Sequence, residues 1–324
     1  MTDKILAMIT TSQWDEQETK LGGHFLQSSA WCAFQVALGR KTVQNMSDGW
    51  SYLGVMSASS RFSYLYCPYG PTISNSKNLS KVVEAWKNEL HGVDFVRFEP
   101  MGFVTENVLR SIGAKKVKEI QPKDTLVLDL DLDEESLRSN LSASHRNTIN
   151  AAGRKGLSFR LSSAEDDLKH FLRFINATAG RNGFSTHSDG YFKTMVEVLE
   201  PLGAAKVYIA EFESKTVAAA IVFDYEGVRY YAHSAMDPEH RNLRIAAPFV
   251  WFLMMDAKAK GMHEFDLWGI APAGASKNHP WAGFSEFKHS FGGTEKSYLG
   301  TWELSLNPLK HLAYRTIRKT LRRG

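Results

Sequence analysis

The chain has 324 residues, of which 43% are hydrophobic and 23% charged, and its formal net charge is +4. This is the composition of a globular protein. No apolar run reaches the roughly 20 residues that a membrane helix needs, since the longest, Pro248 to Met255, stops at Asp256. A secretory signal is not expected. Cys32 and Cys67 have neither metal nor disulfide spacing, so a reducing cytoplasm is the expected compartment.

The first part of the chain predicts a mixed α/β domain. Ser28 and Ser29 can cap a helix, and apolar runs bounded by glycine or proline indicate strands. The predicted helices cover about residues 30–38, 78–90 and 105–112, and the predicted strands cover 52–56, 62–67, 93–99 and 125–130. Asp133 can cap a longer helix, residues 134–154, that ends at Gly156.

The second part begins with two predicted helices. One is opened by a capping box at Ser163 and runs to about residue 179, and the other is capped by Ser188 and runs to 199. Three alternating runs then predict an antiparallel meander, followed by a helix, a strand and an aromatic helix: residues 206–212, 216–225, 228–236, 245–260, 264–268 and 281–291. In the last helix the aromatic residues recur at helical spacing on one face, and Lys288 lies at the edge of that face.

Each half of the chain therefore runs helix, antiparallel strands, helix, strand, helix, strand. We interpret this as a duplicated α/β unit with the element order of the N-acetyltransferase (GNAT) fold. The predicted fold class is α/β (α+β), with two GNAT-like domains in tandem, residues 1–145 and 146–302.

The stretch from Phe265 to Gly293 reads FDLWGIAPAGASKNHPWAGFSEFKHSFGG and is followed by Tyr298 to Trp302. It resembles the Fem family of peptidoglycan-bridge aminoacyltransferases, and the resemblance extends back to Phe25. It implies the same tandem GNAT-like fold, with residues 303–324 packing back on the first domain. The coiled-coil arm of some family members is not expected, because no charged heptad run occurs in the second domain.

The resemblance also implies an acyltransferase of cell-wall biogenesis, which moves an amino acid from aminoacyl-tRNA to an amine of a peptidoglycan precursor stem peptide. Its partners would be charged tRNA and either lipid II or the UDP-MurNAc-peptide, with no cofactor. No metal is expected, because the sequence has neither an HExxH motif nor Cys–His metal spacing. Basic residues crowd the last fifteen positions and residues 138–155, which suits RNA, a diphosphate or an anionic membrane surface. A cytoplasmic location is expected, and peripheral contact with the inner face of the membrane is a further expectation.

The loop before the main helix of the second domain bears on the acyl donor. A coenzyme A-dependent enzyme needs glycine there, so that backbone N–H groups can wrap the pyrophosphate. The corresponding place runs from Arg241 to Ala246, with Arg244 at the first glycine position. This favours a different donor. Two alternatives stay open: an acetyl-CoA-dependent N-acetyltransferase, if Arg244 points outward, and a non-catalytic RNA- or membrane-binding module.

Lys288 is the catalytic candidate. Aminoacyl transfer passes through a tetrahedral intermediate, and an ammonium group in a partly dry site stabilises its oxyanion. The pattern alone favours an exposed lysine near a helix C-terminus. The Fem family, however, places a functional lysine in this Phe-Lys-x-x-Phe context, so the resemblance implies a catalytic Lys288 with Phe287 at the substrate.

A second set of candidates surrounds a predicted helix start. His187 and Tyr191 are four residues apart and share one side of that start, where anions bind readily. Family members that bind the nucleotide-linked precursor have arginine in the place of His187, and Arg181 could compensate for its absence. The resemblance also implies a lysine near the first helix, but this chain has Gln35 at that position. The alternative for His187 is a neighbour of the helix cap with no ligand.

Two strands carry the remaining candidates. Alternation along the third meander strand predicts that Tyr231 and His233 share one face and that Tyr230 lies on the other. We expect Tyr231 and His233 to contact substrate. Asp266 and Trp268 share a face of the next strand, where Asp266 could orient the acceptor amine or form a structural salt bridge.

Overall fold

The computed structural model describes residues 11–59, 61–162, 166–182 and 185–321. Its contacts divide the chain into two units, one made of the chain up to Lys123 together with the segment from Tyr298, the other of Asp124–Ser297. The boundary therefore differs from the predicted one after residue 145. The reason is that the strand that begins at Asp124 pairs with strands of the second unit.

The N-terminal segment of the first unit alternates helices with short strands. Its helices are α1 (Thr11–Leu21), α2 (Ser29–Ala37), α3 (Asn78–Glu89) and α4 (Glu106–Ser111). Its strands are β1 (Thr42–Ser47), β2 (Trp50–Ala58), β3 (Ser63–Cys67), β4 (Thr72–Ile73), β5 (Phe95–Phe98), β6 (Met101–Gly102) and β7 (Lys115–Lys116). Helix α2 begins where predicted, because the Ser28 hydroxyl accepts a hydrogen bond from the Trp31 N–H.

The second unit is built around one twisted sheet. Its strands are β8 (Asp124–Asp129), β9 (Leu157–Leu161), β10 (Ala205–Phe212), β11 (Lys215–Tyr225), β12 (Val228–Met236), β13 (Glu264–Gly269) and β14 (Thr294–Ser297). Its helices are α5 (Glu134–Asn140), α6 (Ala143–Ala151), α7 (Asp166–Asn182), α8 (Asp189–Leu199), α9 (Ala246–Ala259) and α10 (Ala282–His289). The strand order is β14-β8-β13-β12-β11-β10-β9, with β12 and β13 parallel, so the predicted meander β10-β11-β12 is confirmed.

One long helix was predicted wrongly. Residues 134–154 form α5 and α6 separately, because Leu141 adopts an extended conformation with ψ 142° and Ser142 then caps α6 by accepting from the His145 N–H. The capping box predicted at Ser163 lies outside the described residues. Ser188 caps α8 as predicted, accepting from the Tyr191 N–H.

The C-terminal segment returns to the first unit. It contains β15 (Trp302–Ser305) and α11 (Pro308–Leu321). Strand β15 lies between β5 and β7 in a sheet of order β6-β4-β2-β3-β5-β15-β7, with β1 paired to β2. The sheet of the first unit is therefore completed by a strand that follows the whole second unit in sequence.

Both units have their own hydrophobic core. In the first, the core surrounds Trp86 and Trp302, and in the second it surrounds Leu253 and Phe265 beneath α9. The longest described helix, α7, has 17 residues, so no coiled-coil arm occurs within the described chain. No helix of that part of the chain combines the length and the apolar character needed to span a bilayer.

Candidate functional site

A bulge in β13 shapes the site in the second unit. The pairing of β13 with β8 shifts between Asp266 and Gly269, and Trp268 adopts a left-handed backbone with φ 64°. Such a conformation costs a non-glycine residue roughly 1–2 kcal/mol, and strain of this kind concentrates at functional sites. The Trp268 N–H turns back to donate to Asp266 Oδ1 at 2.7 Å.

The pairing between β12 and β13 ends next to this bulge. Strand β12 pairs with β13 only from Val228 to Tyr230, which lies opposite Asp266. Strand β12 itself continues to Met236, paired with β11 on its other side. Beyond Tyr230, the edge of β12 that faces β13 is therefore not paired with β13. The Trp268 ring packs edge-to-face on Tyr230 with centroids 5.8 Å apart, on the same side as Asp266.

Lys288 reaches the bulge from α10. Its Nζ donates to the Gly269 carbonyl at 2.6 Å and lies 4.9 Å from the centroid of the Phe284 ring. Burial disfavours the ammonium and lowers the pKa of Lys288 to about 8, while the nearby charge of Asp266 opposes that shift. Helix α10 is tied to the loop after β13 by Ser285, whose hydroxyl accepts from the Ala271 N–H at 2.8 Å.

Asp266 is the second titratable group of the site. Its side chain is buried, and burial raises its pKa to about 6 against the opposing effects of the Trp268 N–H and of Lys296 and Lys288. The pKa values of Asp266 and Lys288 therefore lie on either side of neutrality, so near pH 7 one is a carboxylate and the other an ammonium. Pairs tuned in this way are typical of proton-transfer and acyl-transfer sites.

The face predicted for Tyr231 is wrong. Ile221 lies opposite His233 and Phe223 lies opposite Tyr230, so two residues of β12 face one residue of β11 between them. This bulge reverses the alternation. His233 and Tyr230 share one face, and Tyr231 turns to the core on the other, where burial raises its pKa to about 12.

Phe287 is also turned away from an open surface. Its ring packs against His145 and Phe291, with centroids 5.0 and 5.4 Å away, so it holds α10 against the core and we assign it packing rather than substrate contact. His145, which no sequence motif marked, supports α10 from α6. Burial lowers the pKa of His145.

The structure brings two of the helix-start candidates, His187 and Tyr191, together with His233 of β12. The rings of His187 and Tyr191 stack with centroids 3.9 Å apart, and His233 lies 6.5 Å from His187. Burial, with the charge of His187, lowers the pKa of His233 to about 4, so it is neutral near pH 7. Arg181 is exposed in the last turn of α7.

Two sequence positions that bear on ligand binding have a clear local setting. Arg244 is exposed and left-handed, with φ 54°, just before α9. The backbone therefore takes a conformation that suits glycine, while a long cationic side chain occupies the position.

Gln35 is buried, and its side-chain oxygen accepts a hydrogen bond from Arg40 at 2.7 Å. Within the described residues no three His, Cys, Asp or Glu side chains converge as a metal site would require.

Known proteins are similar in sequence to part of this chain. Residues 139–284 match the acetyltransferase (GNAT) domain. The lipid II:glycine glycyltransferase of Staphylococcus epidermidis is 27% identical over 107 residues, 33% of this chain. The match spans only 26% of the length of that relative.

Solved structures resemble nearly the whole chain. A crystal structure of FemX aligns with a TM-score of 0.82 at 17% identity, covering 94% of this chain and 98% of that one. A tandem GNAT protein from the clavulanic acid biosynthesis pathway aligns with a TM-score of 0.50 at 12% identity, covering 90% and 96%. Together with the domain match, these likenesses show that the chain has two GNAT-like units in tandem and is similar in fold to FemX.

Proposed function

We propose that the chain is an aminoacyltransferase that moves an amino acid from aminoacyl-tRNA to an amine of a peptidoglycan precursor stem peptide. The observation that carries the proposal is the Lys288 ammonium, held at the Gly269 carbonyl beside the buried carboxyl of Asp266. The curated relatives are named lipid II:glycine glycyltransferases, which supports a lipid-linked acceptor and formation of the interpeptide bridge.

The proposed chemistry is direct attack of the acceptor amine on the aminoacyl ester. A C–N bond forms, the carbonyl oxygen becomes an oxyanion, and the ester C–O bond then breaks to release the ribose hydroxyl. Lys288 would exchange its contact with Gly269 for the oxyanion, an interaction that is stronger in the transition state than in the ground state. Asp266 would accept the proton that the amine loses, and that proton leaves with the ribose oxygen.

The helix-start cluster is the proposed site for the acceptor. His187 and Tyr191 lie at the N-terminus of α8, which attracts anions, and Arg181 precedes them on α7. We assign this cluster to the diphosphate and sugar of the precursor, with neutral His233 beneath it as a hydrogen-bonding group. Trp268 would line the path from the cluster to Asp266.

The acetyl-CoA alternative rests on the GNAT domain match. Arg244 weighs against it, because an arginine stands where a coenzyme A loop needs glycine before α9. No cofactor is proposed, and charged tRNA supplies the acyl group. Both substrates would meet the enzyme in the cytoplasm.

The test is a transfer assay with tRNA charged with labelled amino acid and, in separate reactions, lipid II or UDP-MurNAc-pentapeptide. We expect a product heavier by one or more aminoacyl residues, found by mass spectrometry and abolished when ribonuclease is added first. Absence of transfer from a panel of charged tRNAs, together with micromolar binding of acetyl-CoA in a calorimetric titration, would favour the N-acetyltransferase instead.

A further inference from the structure

One face of the C-terminal helix α11 is used to hold it on the first unit. His311 is buried and stacks on Phe95 at 4.5 Å, and its Nε2 lies 3.0 Å from Glu303. Tyr314 packs on Phe95 at 4.8 Å and accepts a hydrogen bond from Arg97. Since these contacts fix the rotation of α11, they also determine which side chains point away.

The opposite face of α11 carries a second apolar stripe. Leu309, Leu312 and Ala313 follow one another at intervals of three residues and one residue, which places them on one side of the helix surface. Leu309 is 82% exposed and Leu312 is 65% exposed. A helix that presents an apolar line to solvent while its other face is docked has the amphipathic character of a helix that binds at an interface.

Basic groups border this stripe. A groove of about 890 Å³ lies between α11 and residues 115–120. Its lining has seven basic side chains against two acidic ones, and one of the acidic pair, Glu303, is bound to Arg97. Lys115, Lys118, Arg315 and Lys319 are all exposed in it. Ile120, also in the lining, is 45% exposed, so the groove presents both cationic and apolar groups.

We propose that this surface, the α11 stripe with its groove, binds the surface of an anionic phospholipid bilayer, with α11 lying in the plane of the interface. Exposed leucines flanked by lysine and arginine suit lipid, because the apolar side chains enter the acyl boundary while the cations meet the headgroup phosphates. RNA would use the cations but would leave Leu309 and Leu312 in water. The inference does not depend on the reaction proposed for the second unit.

The experiment is co-sedimentation of the full chain with vesicles. We expect binding to vesicles of phosphatidylglycerol and phosphatidylethanolamine, little binding to pure phosphatidylcholine, and loss of binding at high salt because of screening. The double variant Leu309→Ser, Leu312→Ser should lower the partition coefficient at least about tenfold. Arg315→Ala with Lys319→Ala should lower it as well. Leu202→Ser, which changes a leucine of similar exposure (57%) in the second unit, should leave it unchanged.

Circular dichroism and thermal unfolding would verify that each variant folds, which the exposure of the changed residues leads us to expect. The proposal is overturned if the leucine variant binds anionic vesicles as well as the wild type does, since the attraction would then be purely electrostatic. It is equally overturned if the wild type ignores anionic vesicles and the arginine and lysine variant instead loses binding to tRNA. Neither result would refute aminoacyl transfer, which is measured separately with soluble precursor.

Discussion

Replacement of Lys288 by methionine should make the protein more stable and much less active. Methionine keeps the apolar stem beside Phe284 and removes the charge. In the folded state burial lowers the pKa of Lys288 from 10.5 to about 8, so holding the ammonium in the site opposes folding by up to about 3 kcal/mol. Loss of the hydrogen bond to Gly269 offsets about 1 kcal/mol of that gain.

The gain in stability from Lys288→Met should depend on pH. Below pH 8 the lysine is charged in both the folded and the unfolded protein, so the penalty is fully present. Between pH 8 and 10.5 the folded protein loses the proton first and the penalty fades. Lys288→Met should therefore raise the free energy of unfolding by about 1–2 kcal/mol at pH 7, measured in urea, and by progressively less toward pH 10.

The transfer activity of Lys288→Met should fall, although its stability rises. If the ammonium faces the oxyanion, single-turnover transfer should slow by roughly 10²–10³. Lys296→Met is the matched control, because Lys296 also acts on Asp266 but is exposed on β14, and we expect less than about a threefold change there. A Lys288→Met variant that is destabilised and transfers at the wild-type rate would refute this reasoning.

Three further changes test other parts of the account. Asp266→Asn should slow transfer about 10²–10⁴-fold and shift the alkaline limb of the pH profile below pH 8, since the charge of Asp266 raises the pKa of Lys288; an unmoved limb would contradict the coupling. His187→Ala should raise KM for the precursor about tenfold and leave kcat unchanged, and an unchanged KM would remove His187 from the binding site. Arg97→Met leaves the buried Glu303 carboxylate without its main partner, so the free energy of unfolding should fall by about 3–5 kcal/mol in urea; a loss below about 1 kcal/mol would contradict that view.

Local signals in the sequence predicted most of the elements. Ser28 and Ser188 cap helices as expected, and the meander follows its alternating pattern. These features depend on neighbours in sequence, for which capping and periodicity are sufficient. The predicted helix over 134–154 failed because the extended conformation of Leu141 has no marker such as glycine or proline.

The site itself was harder to predict, because long-range pairing determines its geometry. Lys288 and Asp266 were both predicted as site residues. Their shifted pKa values depend on burial that the sequence does not show. The bulges at Tyr231 and Trp268 occur at residues that favour regular strands, so alternation predicted the wrong face for Tyr231. The domain boundary was missed for a similar reason, since only pairing with β13 and β14 assigns β8 to the second unit.

The most direct test of the central claim is the pH profile of single-turnover transfer from aminoacyl-tRNA to the precursor. The proposed transfer requires Asp266 as a carboxylate and Lys288 as an ammonium, so the rate should form a bell with limbs near pH 6 and pH 8. A rate that stays flat from about pH 5 to 9, or a bell that survives intact in Lys288→Met, would contradict it.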